Sequence, residues 1–205
     1  MVESLLIQFD YHSAERRLIG KIILAYGELE IAVMQLLATT LNGDTYTAVR
    51  TLYRLRSESN RLEVADALVS PHLSKHTLNG AWCEAYAAMK CCKAIRNNYA
   101  HGQWLSHRGQ LRFGDLDKAA LTKGPSCAIT MRPLSLATLK KQWAYFEYTH
   151  HQLAWIDYRY ATLTGQPRTV PGKVPKPRKV SPPKLDSRGE AHFPLLSSQG
   201  QKPPR

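Results

Sequence analysis

The sequence predicts an all-α fold: a helical bundle of about five helices with a small inserted β-hairpin, followed by a disordered basic C-terminal tail. Three observations lead to this prediction. Long segments carry apolar residues at steps of three and four, the period of an amphipathic helix. Residues 103–113 instead have a strand-like pattern around Gly109. Beyond residue 164 the apolar period disappears, and nine of the 12 prolines lie there. We therefore expect a helical domain over residues 1–164 and a Pro/Lys/Arg-rich tail over residues 165–205.

The first three predicted helices lie in the N-terminal part of the chain. His12–Leu41 has apolar residues at helical spacing, and Ser13 is its predicted N-cap. A turn-forming Asn-Gly-Asp sequence precedes the second helix, about Asp44–Arg56. The third helix, about Arg61–Val69, is expected to stop at Pro71, because proline disfavours helical backbone in the residue before it.

The fourth predicted helix begins at Asn79-Gly80 and ends before Gly102. Gly102 is expected to take the left-handed conformation that often ends a helix. One side of this helix carries small residues, which would let another helix approach closely, either in the core or at a subunit interface. The neighbouring row is aromatic and is interpreted as core. The small residues are Ala81, Ala85 and Ala88, and the aromatic residues are Trp82 and Tyr86.

After the hairpin the pattern is irregular until one more helix. A strand is predicted at Cys127–Met131, and a final helix follows from an N-cap at Ser135 to about Leu163. A two-stranded hairpin is marginal on its own, so we expect it to rest against the helices.

The charge is the strongest compositional signal. The formal net charge is +12, and residues 165–205 supply nine Lys and Arg against two acidic residues. Such a basic chain usually meets a polyanion, with nucleic acid as the first expectation and an anionic membrane as the second. The alternative is a solvated surface that only keeps the protein soluble. A flexible basic tail would add RNA affinity without carrying chemistry.

Several classes of protein are not expected. No apolar run approaches the roughly 18–20 residues of a membrane span, and the N-terminus lacks the pattern of a signal peptide. The four cysteines form no C-x-x-C pair, so neither a disulfide framework nor a zinc site is predicted. These features favour a cytoplasmic protein with no membrane partner, no metal and no cofactor.

The segment Arg96-Asn97-Asn98-Tyr99-Ala100-His101-Gly102 places a cation and an imidazole where the fourth helix gives way to a loop. An Arg followed five places later by His is expected about 0.6 times by chance in such a chain, so the bare spacing carries little weight. On an unbroken helix, residues five apart lie roughly 140° apart around the axis. The pair can therefore act on one atom only if the helix ends near Tyr99 or His101, or if a second pair meets it across an interface.

The same segment resembles the hallmark of the HEPN (higher eukaryotes and prokaryotes nucleotide-binding) family. That hallmark is an Arg, a polar residue, a few variable residues and a His at the end of a late helix in an all-α domain. Arg96, Asn97 and His101 match it, and the resemblance covers residues 12–163. An acidic residue in the first long helix is common in the family, and Glu30 or Glu28 fits that place. The inserted hairpin and the basic tail lie outside the minimal pattern.

The resemblance implies metal-independent RNA cleavage, with Arg96 and His101 as catalytic residues. Attack by a ribose 2′-OH needs a base for its proton and an acid for the departing 5′-oxygen, and imidazoles titrate near neutral pH. A guanidinium offers a charged planar fork to the non-bridging phosphate oxygens. Three residues are expected to support the pair. Asn97 would bond the phosphate or hold Arg96, Tyr99 would do the same or merely pack, and Glu30 would orient Arg96 or remain a solvated acid.

One His per chain does not serve at once as base and acid, so the resemblance also implies a homodimer in which two Arg/His pairs share a cleft. The expected function is a metal-independent endoribonuclease that leaves a 2′,3′-cyclic phosphate, in the setting of a toxin or an anti-phage effector restrained by an antitoxin protein. The alternative is a non-catalytic helical module that binds nucleotide, RNA or protein. The intact Arg96 and His101 favour the first.

Overall fold

The structure is a computed structural model that describes residues 9–115, 121, 128–166, 172–183 and 191–194. After a 3-10 turn at Phe9–His12 it contains five α-helices: α1 Ser13–Thr40, α2 Thr45–Tyr53, α3 Glu58–Ser74, α4 Asn79–His101 and α5 Leu136–Thr164. Four strands complete the described part: β1 Gln103–His107, β2 Gln110–Gly114, β3 Ala128–Pro133 and β4 Ala191–Pro194. The predicted fold class, a helical bundle with a small β-hairpin, is confirmed.

Helices α1 and α5 run parallel and form the largest helix–helix contact of the bundle. At one end of the pair Lys21 lies over the ring of Trp143, 5.2 Å from its centroid. At the other end the Thr39 hydroxyl donates to Asp157 Oδ1 over 2.6 Å. The long connection through α2, α3, α4 and the sheet is what allows two parallel helices to be neighbours.

Side-chain caps start three of the helices. The Asp44 carboxylate accepts from the Thr47 backbone N–H over 2.9 Å at the start of α2. Ser57 and Ser135 cap α3 and α5 in the same way. The predicted cap at Ser13 is wrong, because the residue before α1 is His12, which makes no side-chain cap bond. His12 is buried instead, and its Nε2 lies 3.1 Å from Ser106 Oγ in β1.

Helix α3 is longer than predicted and contains Pro71 within its last turns. The expected stop at this proline is therefore wrong. Val69 and Leu73, on either side of it, are fully buried. Their burial in the core holds the final turn in place although proline donates no backbone hydrogen bond.

Helix α4 packs along α5, and most residues of its two predicted rows are buried. Trp82 is fully buried, and its indole N–H donates to Asp66 Oδ1 over 2.6 Å. Ala85 and Ala88 are buried, so the small row forms part of the core and leaves α5 room to approach. Tyr86 is only partly buried and packs at the edge of this core.

The sheet is antiparallel throughout, in the order β1-β2-β3-β4. The predicted hairpin around Gly109 is confirmed, with Arg108 and Gly109 at positive φ of 51° and 71° in the tight turn. The strand predicted at Cys127–Met131 is observed as Ala128–Pro133. The hairpin rests on the helices through Phe113, whose ring lies 5.5 Å from that of Tyr99 at the end of α4.

Part of the C-terminal segment lies against the helices. Residues 172–183 contain no helix or strand, and Lys179 Nζ donates to Glu84 Oε1 over 2.8 Å. Lys176 lies over the ring of Trp155, and Val180 packs against the core. In these contacts, and in the pairing of β4 with β3, the segment differs from the disordered tail that its proline and charge content predicts. Residues 167–171, 184–190 and 195–205 lie outside the described residues.

Helix α1 with its preceding turn, Asp10–Thr40, is long and apolar enough to cross a membrane by length and composition alone. Its most apolar window has a mean hydropathy of 1.5, and 56% of that window is buried within the bundle. The expectation that no stretch reaches this length and hydropathy is therefore wrong. The apolar residues of this helix supply the core face for α5.

Gly102 ends α4 for a reason other than the predicted one. Its backbone has φ −71° and ψ 148°, which is extended and not left-handed. A Cβ at this position would lie 2.4 Å from the backbone oxygen of Asn98, one helical turn earlier. Glycine is therefore required because the chain turns into β1 in close contact with the last turn of the helix.

Gly102→Ala is expected to lower the free energy of unfolding by about 1–3 kcal/mol, because the added methyl must displace helix backbone. Gly80→Ala, near the start of the same helix, is the matched control, since no atom lies within 4 Å of the place that its added methyl would occupy. The control should leave stability unchanged or raise it by up to about 1 kcal/mol. Urea denaturation of both variants measures the difference, and equal stabilities would contradict this explanation.

Candidate active site at the end of helix α4

The predicted catalytic pair lies on one continuous helix. Helix α4 remains regular from Arg96 to its last residue, His101. Five residues of helix separate the two side chains by about 140° around the axis and about 7.5 Å along it. Within one chain the structure therefore does not bring the guanidinium and the imidazole to a common atom.

Arg96 points into the space between α1 and α3. Its guanidinium forms an ion pair with the carboxylate of Glu58, in the first turn of α3. It also lies over the ring of Tyr26 on α1, with 4.8 Å from Cζ to the ring centroid. The two charged side chains are 15% and 25% exposed, so both are mostly buried and a small part of each is in contact with solvent. Arg96 is thus held from two sides.

Glu30 does not orient Arg96, and that expectation is wrong. Its Oε1 accepts from both Nε and Nη2 of Arg61, over 3.0 and 2.9 Å. Arg61 comes one turn after Glu58 on α3, and it takes the carboxylate that was expected to hold Arg96. The result is two neighbouring ion pairs beside Tyr26, one linking α1 to α3 and the other linking α4 to α3.

A narrow cleft opens beside these ion pairs. Helices α1, α2, α3 and α4 all contribute to its wall. Tyr53 at the end of α2 closes one side, with Arg61 over its ring at 5.5 Å. The residues that line the cleft are Tyr26, Glu30, Val33, Leu52, Tyr53, Glu58, Arg61, Leu62 and Met89.

The other two predicted supporting residues do not reach Arg96. Tyr99 is buried, and its hydroxyl donates to Gln142 Oε1 on α5 over 2.5 Å. Its role is packing, one of the two roles considered for it. Asn97 is half-buried, and within the described residues its Oδ1 is buried with no hydrogen-bond partner. Asn97 therefore does not hold Arg96 through that oxygen.

His101 is exposed at the C-terminal end of α4. Tyr99 and the hairpin fix the helix end beneath it, because the rings of Tyr99, Trp104 and Phe113 lie 5.5 to 5.8 Å apart. The imidazole is thus on a rigid element but open to solvent.

Sequence reasoning missed the residues that surround Arg96, namely Tyr26, Glu58 and Arg61. A signal was present in their spacing. Tyr26 and Glu30 lie four apart on α1, and Glu58 and Arg61 lie three apart on α3, so each pair shares one helix face. What the spacing did not indicate is that these two faces meet each other and the end of α4.

A second cleft, between α1 and α5, has about 630 Å³ of empty space and includes Glu28, Glu147, His150 and His151. Partial burial and the neighbouring His151 lower the pKa of His150, while Glu28 acts in the opposite direction. Across the described part of the chain, no group of three or more His, Cys, Asp or Glu side chains is placed to hold a metal ion.

Comparisons of the chain with known protein families, with curated proteins and with solved structures find no match. The case for a function therefore depends on the residues and geometry of the chain itself.

The phenol of Tyr26 is expected to make the folded protein less stable at alkaline pH. Burial first, and then the carboxylates of Glu30 and Glu58, raise the pKa of its phenol well above its ordinary value. The unfolded chain then loses this proton near pH 10 while the folded chain keeps it, so the free energy of unfolding falls as the pH rises above about 10. One such proton contributes a slope of about 1.4 kcal/mol per pH unit.

Tyr26→Phe should make that alkaline slope shallower, because phenylalanine has no proton to lose. Tyr11→Phe, at an exposed position, is the control and should retain the wild-type slope. Urea denaturation at several values between about pH 9 and pH 11 measures the three slopes. Identical slopes for Tyr26→Phe and wild type would contradict the account of this cluster.

Proposed function

We propose that the protein is a metal-independent endoribonuclease in which Arg96 and His101 carry the reaction. The observation that supports this proposal is that one rigid helix end carries both groups and that solvent reaches both. The Arg96 side chain is 15% exposed, and His101 is exposed. The basic charge of the chain, +12, favours a polyanionic substrate such as RNA.

In the proposed reaction the 2′-oxygen of the RNA attacks the adjacent phosphorus and the bond to the 5′-oxygen breaks. An imidazole removes the 2′-OH proton, and a second imidazole gives a proton to the departing 5′-oxygen. Arg96 stabilises the charge on the non-bridging oxygens. The products are a 2′,3′-cyclic phosphate and a 5′-hydroxyl, and all the reacting groups come from protein and RNA.

The separation of Arg96 and His101 within a chain leads us to propose a homodimer with composite sites. Residues about 140° apart on a helix do not converge, but Arg96 of one copy and His101 of another can face the same phosphate. A dimer also supplies the two imidazoles that the proton transfers need. The buried Ala85 and Ala88 are occupied in the core, so the interface would involve other surfaces near the end of α4.

Glu58 has a defined place in this proposal. Its carboxylate accepts hydrogen bonds from part of the Arg96 guanidinium. The guanidinium has five N–H donors, which is more than one carboxylate accepts from. The free donors on the exposed edge would bind a phosphate, while Glu58 and the ring of Tyr26 fix the plane of the fork. Such preorganisation limits the reorganisation that the transition state requires.

A second candidate function is binding of RNA without cleavage. The observation that favours it is the pairing of Arg96 with Glu58, which leaves the guanidinium charge-balanced inside a network of two ion pairs. In either case we propose the cytoplasm as the location. The proposed setting is that of a toxin or an anti-phage effector, with an antitoxin protein as partner.

Arg96→Ala and His101→Ala should each reduce RNA cleavage by about 10²–10⁴-fold, because each removes one group from the transition state. Wild-type protein should cleave in EDTA and yield 2′,3′-cyclic phosphate ends on sequencing gels and by mass spectrometry. RNA with 2′-deoxyribose at the cleaved position should be inert. A strict need for Mg²⁺, or cleavage of the deoxy substrate, would refute the proposed reaction.

Arg96→Ala also leaves the Glu58 carboxylate without its partner, so loss of activity could come from loss of structure. Glu58→Gln and the double variant Glu58→Gln/Arg96→Ala are the controls. Glu58→Gln should retain most of the cleavage, because the Gln side-chain oxygen still accepts from the guanidinium, whereas the double variant should be folded by circular dichroism and inactive. Full activity of a folded double variant would show that Arg96 is not required.

Mixing wild-type protein with His101→Ala tests the shared site. If one reaction needs the imidazoles of both copies, a mixed dimer has only one imidazole and should be inactive, so activity should fall with the square of the wild-type fraction. Subunit exchange is promoted by brief dilution below the dissociation constant, and light scattering follows the dimer. Activity that falls in direct proportion to the wild-type fraction would show that each chain acts by itself and contradict this arrangement.

A further inference from the structure

Helix α2 presents an exposed row of tyrosine and arginine side chains, which we name the α2 row: Tyr46, Arg50, Tyr53 and Arg54. The spacing of i, i+4, i+7 and i+8 puts them within about 100° of one another around the helix. Tyr46 is 68% exposed and Tyr53 is 46% exposed, which is unusual for aromatic side chains. The opposite side of the helix, with Ala48 and Leu52, is buried in the core.

The charged side chains around the α2 row are all positive. Residues 45–57 contain Arg50, Arg54 and Arg56 and no acidic residue. Over the described chain these three arginines form no ion pair with any carboxylate. The acidic residues that flank the segment are engaged elsewhere, since Asp44 caps α2 and Glu58 pairs with Arg96. The surface therefore carries uncompensated positive charge.

Contacts within the α2 row already arrange it as a platform. The guanidinium of Arg50 lies over the ring of Tyr46, 5.1 Å from its centroid, and donates to the tyrosine hydroxyl. One side chain thus limits the rotation of the other and leaves the second face of the ring toward solvent. A shallow surface depression, largely open to solvent, lies beside Tyr46, Thr47, Arg50, Thr51 and Arg54.

The row leads toward the candidate active site. Tyr53 belongs both to the α2 row and to the wall of the cleft beside Glu58. Glu58 in turn holds Arg96. Lys93, one turn before Arg96 on α4, donates to Ser59 next to Glu58 and adds another cation along the path. The cleft lined by Tyr53 and Tyr26 thus connects the α2 row with Arg96, and the carboxylates of Glu30 and Glu58 line the same cleft.

We propose that the α2 row binds single-stranded RNA and directs it toward Arg96, an inference that rests on the proposed function. Exposed tyrosine rings stack on bases that are not already stacked in a duplex, and unpaired arginines bind the phosphates between them. The roughly 10.5 Å of helix from Tyr46 to Tyr53 matches the span of about two nucleotides. A membrane surface would instead favour large aliphatic side chains, and Val49 is the one such side chain exposed on this helix.

The test measures binding apart from cleavage, with a fluorescein-labelled 2′-O-methyl oligouridylate of about twelve nucleotides and the full-length chain. Arg50→Gln/Arg54→Gln should weaken binding at least tenfold. It should also reduce the slope of log affinity against log salt by about 1.4, because each lost phosphate contact contributes about 0.7. Lys75→Gln/Arg159→Gln is the matched control. It removes two exposed cations near the other end of α3, about 25 Å along that helix, and should leave the slope unchanged.

The stacking contribution is tested at Tyr46 alone. Tyr46→Ala should weaken binding about tenfold and Tyr46→Phe should retain it, because the ring and not the hydroxyl stacks on a base. A self-complementary duplex of the same length should bind more weakly than the single strand and be insensitive to Tyr46→Ala. Equal affinities for the single strand in wild type and in Arg50→Gln/Arg54→Gln, with both folded by circular dichroism, would overturn the proposal.

Two further results would also overturn it. If Arg50→Gln/Arg54→Gln loses affinity for phosphatidylserine vesicles but keeps its affinity for the oligonucleotide, the α2 row is a membrane-binding surface. If Tyr46→Ala and Tyr46→Phe bind the single strand with equal affinity, the α2 row does not stack on bases.

Cleavage assays separate this inference from the proposed function. Binding of RNA through the α2 row without cleavage would refute the proposed nuclease activity alone. Cleavage with an unchanged KM in Arg50→Gln/Arg54→Gln would refute the row alone.

Discussion

The continuity of helix α4 to its last residue is the constraint on which the candidate site depends. Because the helix does not unwind before His101, Arg96 is directed between α1 and α3 while His101 faces solvent. Two contacts hold the last turn of α4 in helical form. The Tyr99 hydroxyl donates to Gln142, and the Tyr99 ring packs against that of Phe113 in the hairpin. Any chemistry that uses both groups must therefore bring them together between copies of the chain.

The polar cluster around Tyr26 shows how the bundle accommodates charge close to its core. Two arginines and two glutamates, each less than a third exposed, form two ion pairs between the helices. Burial of a charge costs free energy unless a partner and hydrogen bonds offset it, and pairs of this kind contribute little net stability. Their more general effect is geometric, because each fixes the position of α3 relative to a neighbouring helix. The same contacts preorganise Arg96.

The basic side chains of the protein differ in the partners that they contact. Part of it lies in the C-terminal segment, where Lys179 and Lys176 contact Glu84 and Trp155. Another part, Arg61 and Arg96, is neutralised inside the bundle. The arginines of α2 form no such contact with a carboxylate among the described residues, so they are available to bind a polyanion. Net charge alone does not distinguish these cases.

The sequence by itself determined the helices, the hairpin and the last strand before α5, because local signals are sufficient for them. Apolar periodicity, the cap at Ser135 and the glycine of the β-turn act over a few residues. The tertiary structure alone decided that Pro71 lies inside a helix, that Glu30 pairs with Arg61, and that Arg96 pairs with Glu58. These outcomes depend on which helix faces meet, and residues as far apart in the sequence as Glu58 and Arg96 give no local signal of contact. For the same reason, the sequence was sufficient to identify Arg96 and His101 as a motif. That their side chains point in different directions follows only from the continuity of α4 in the structure.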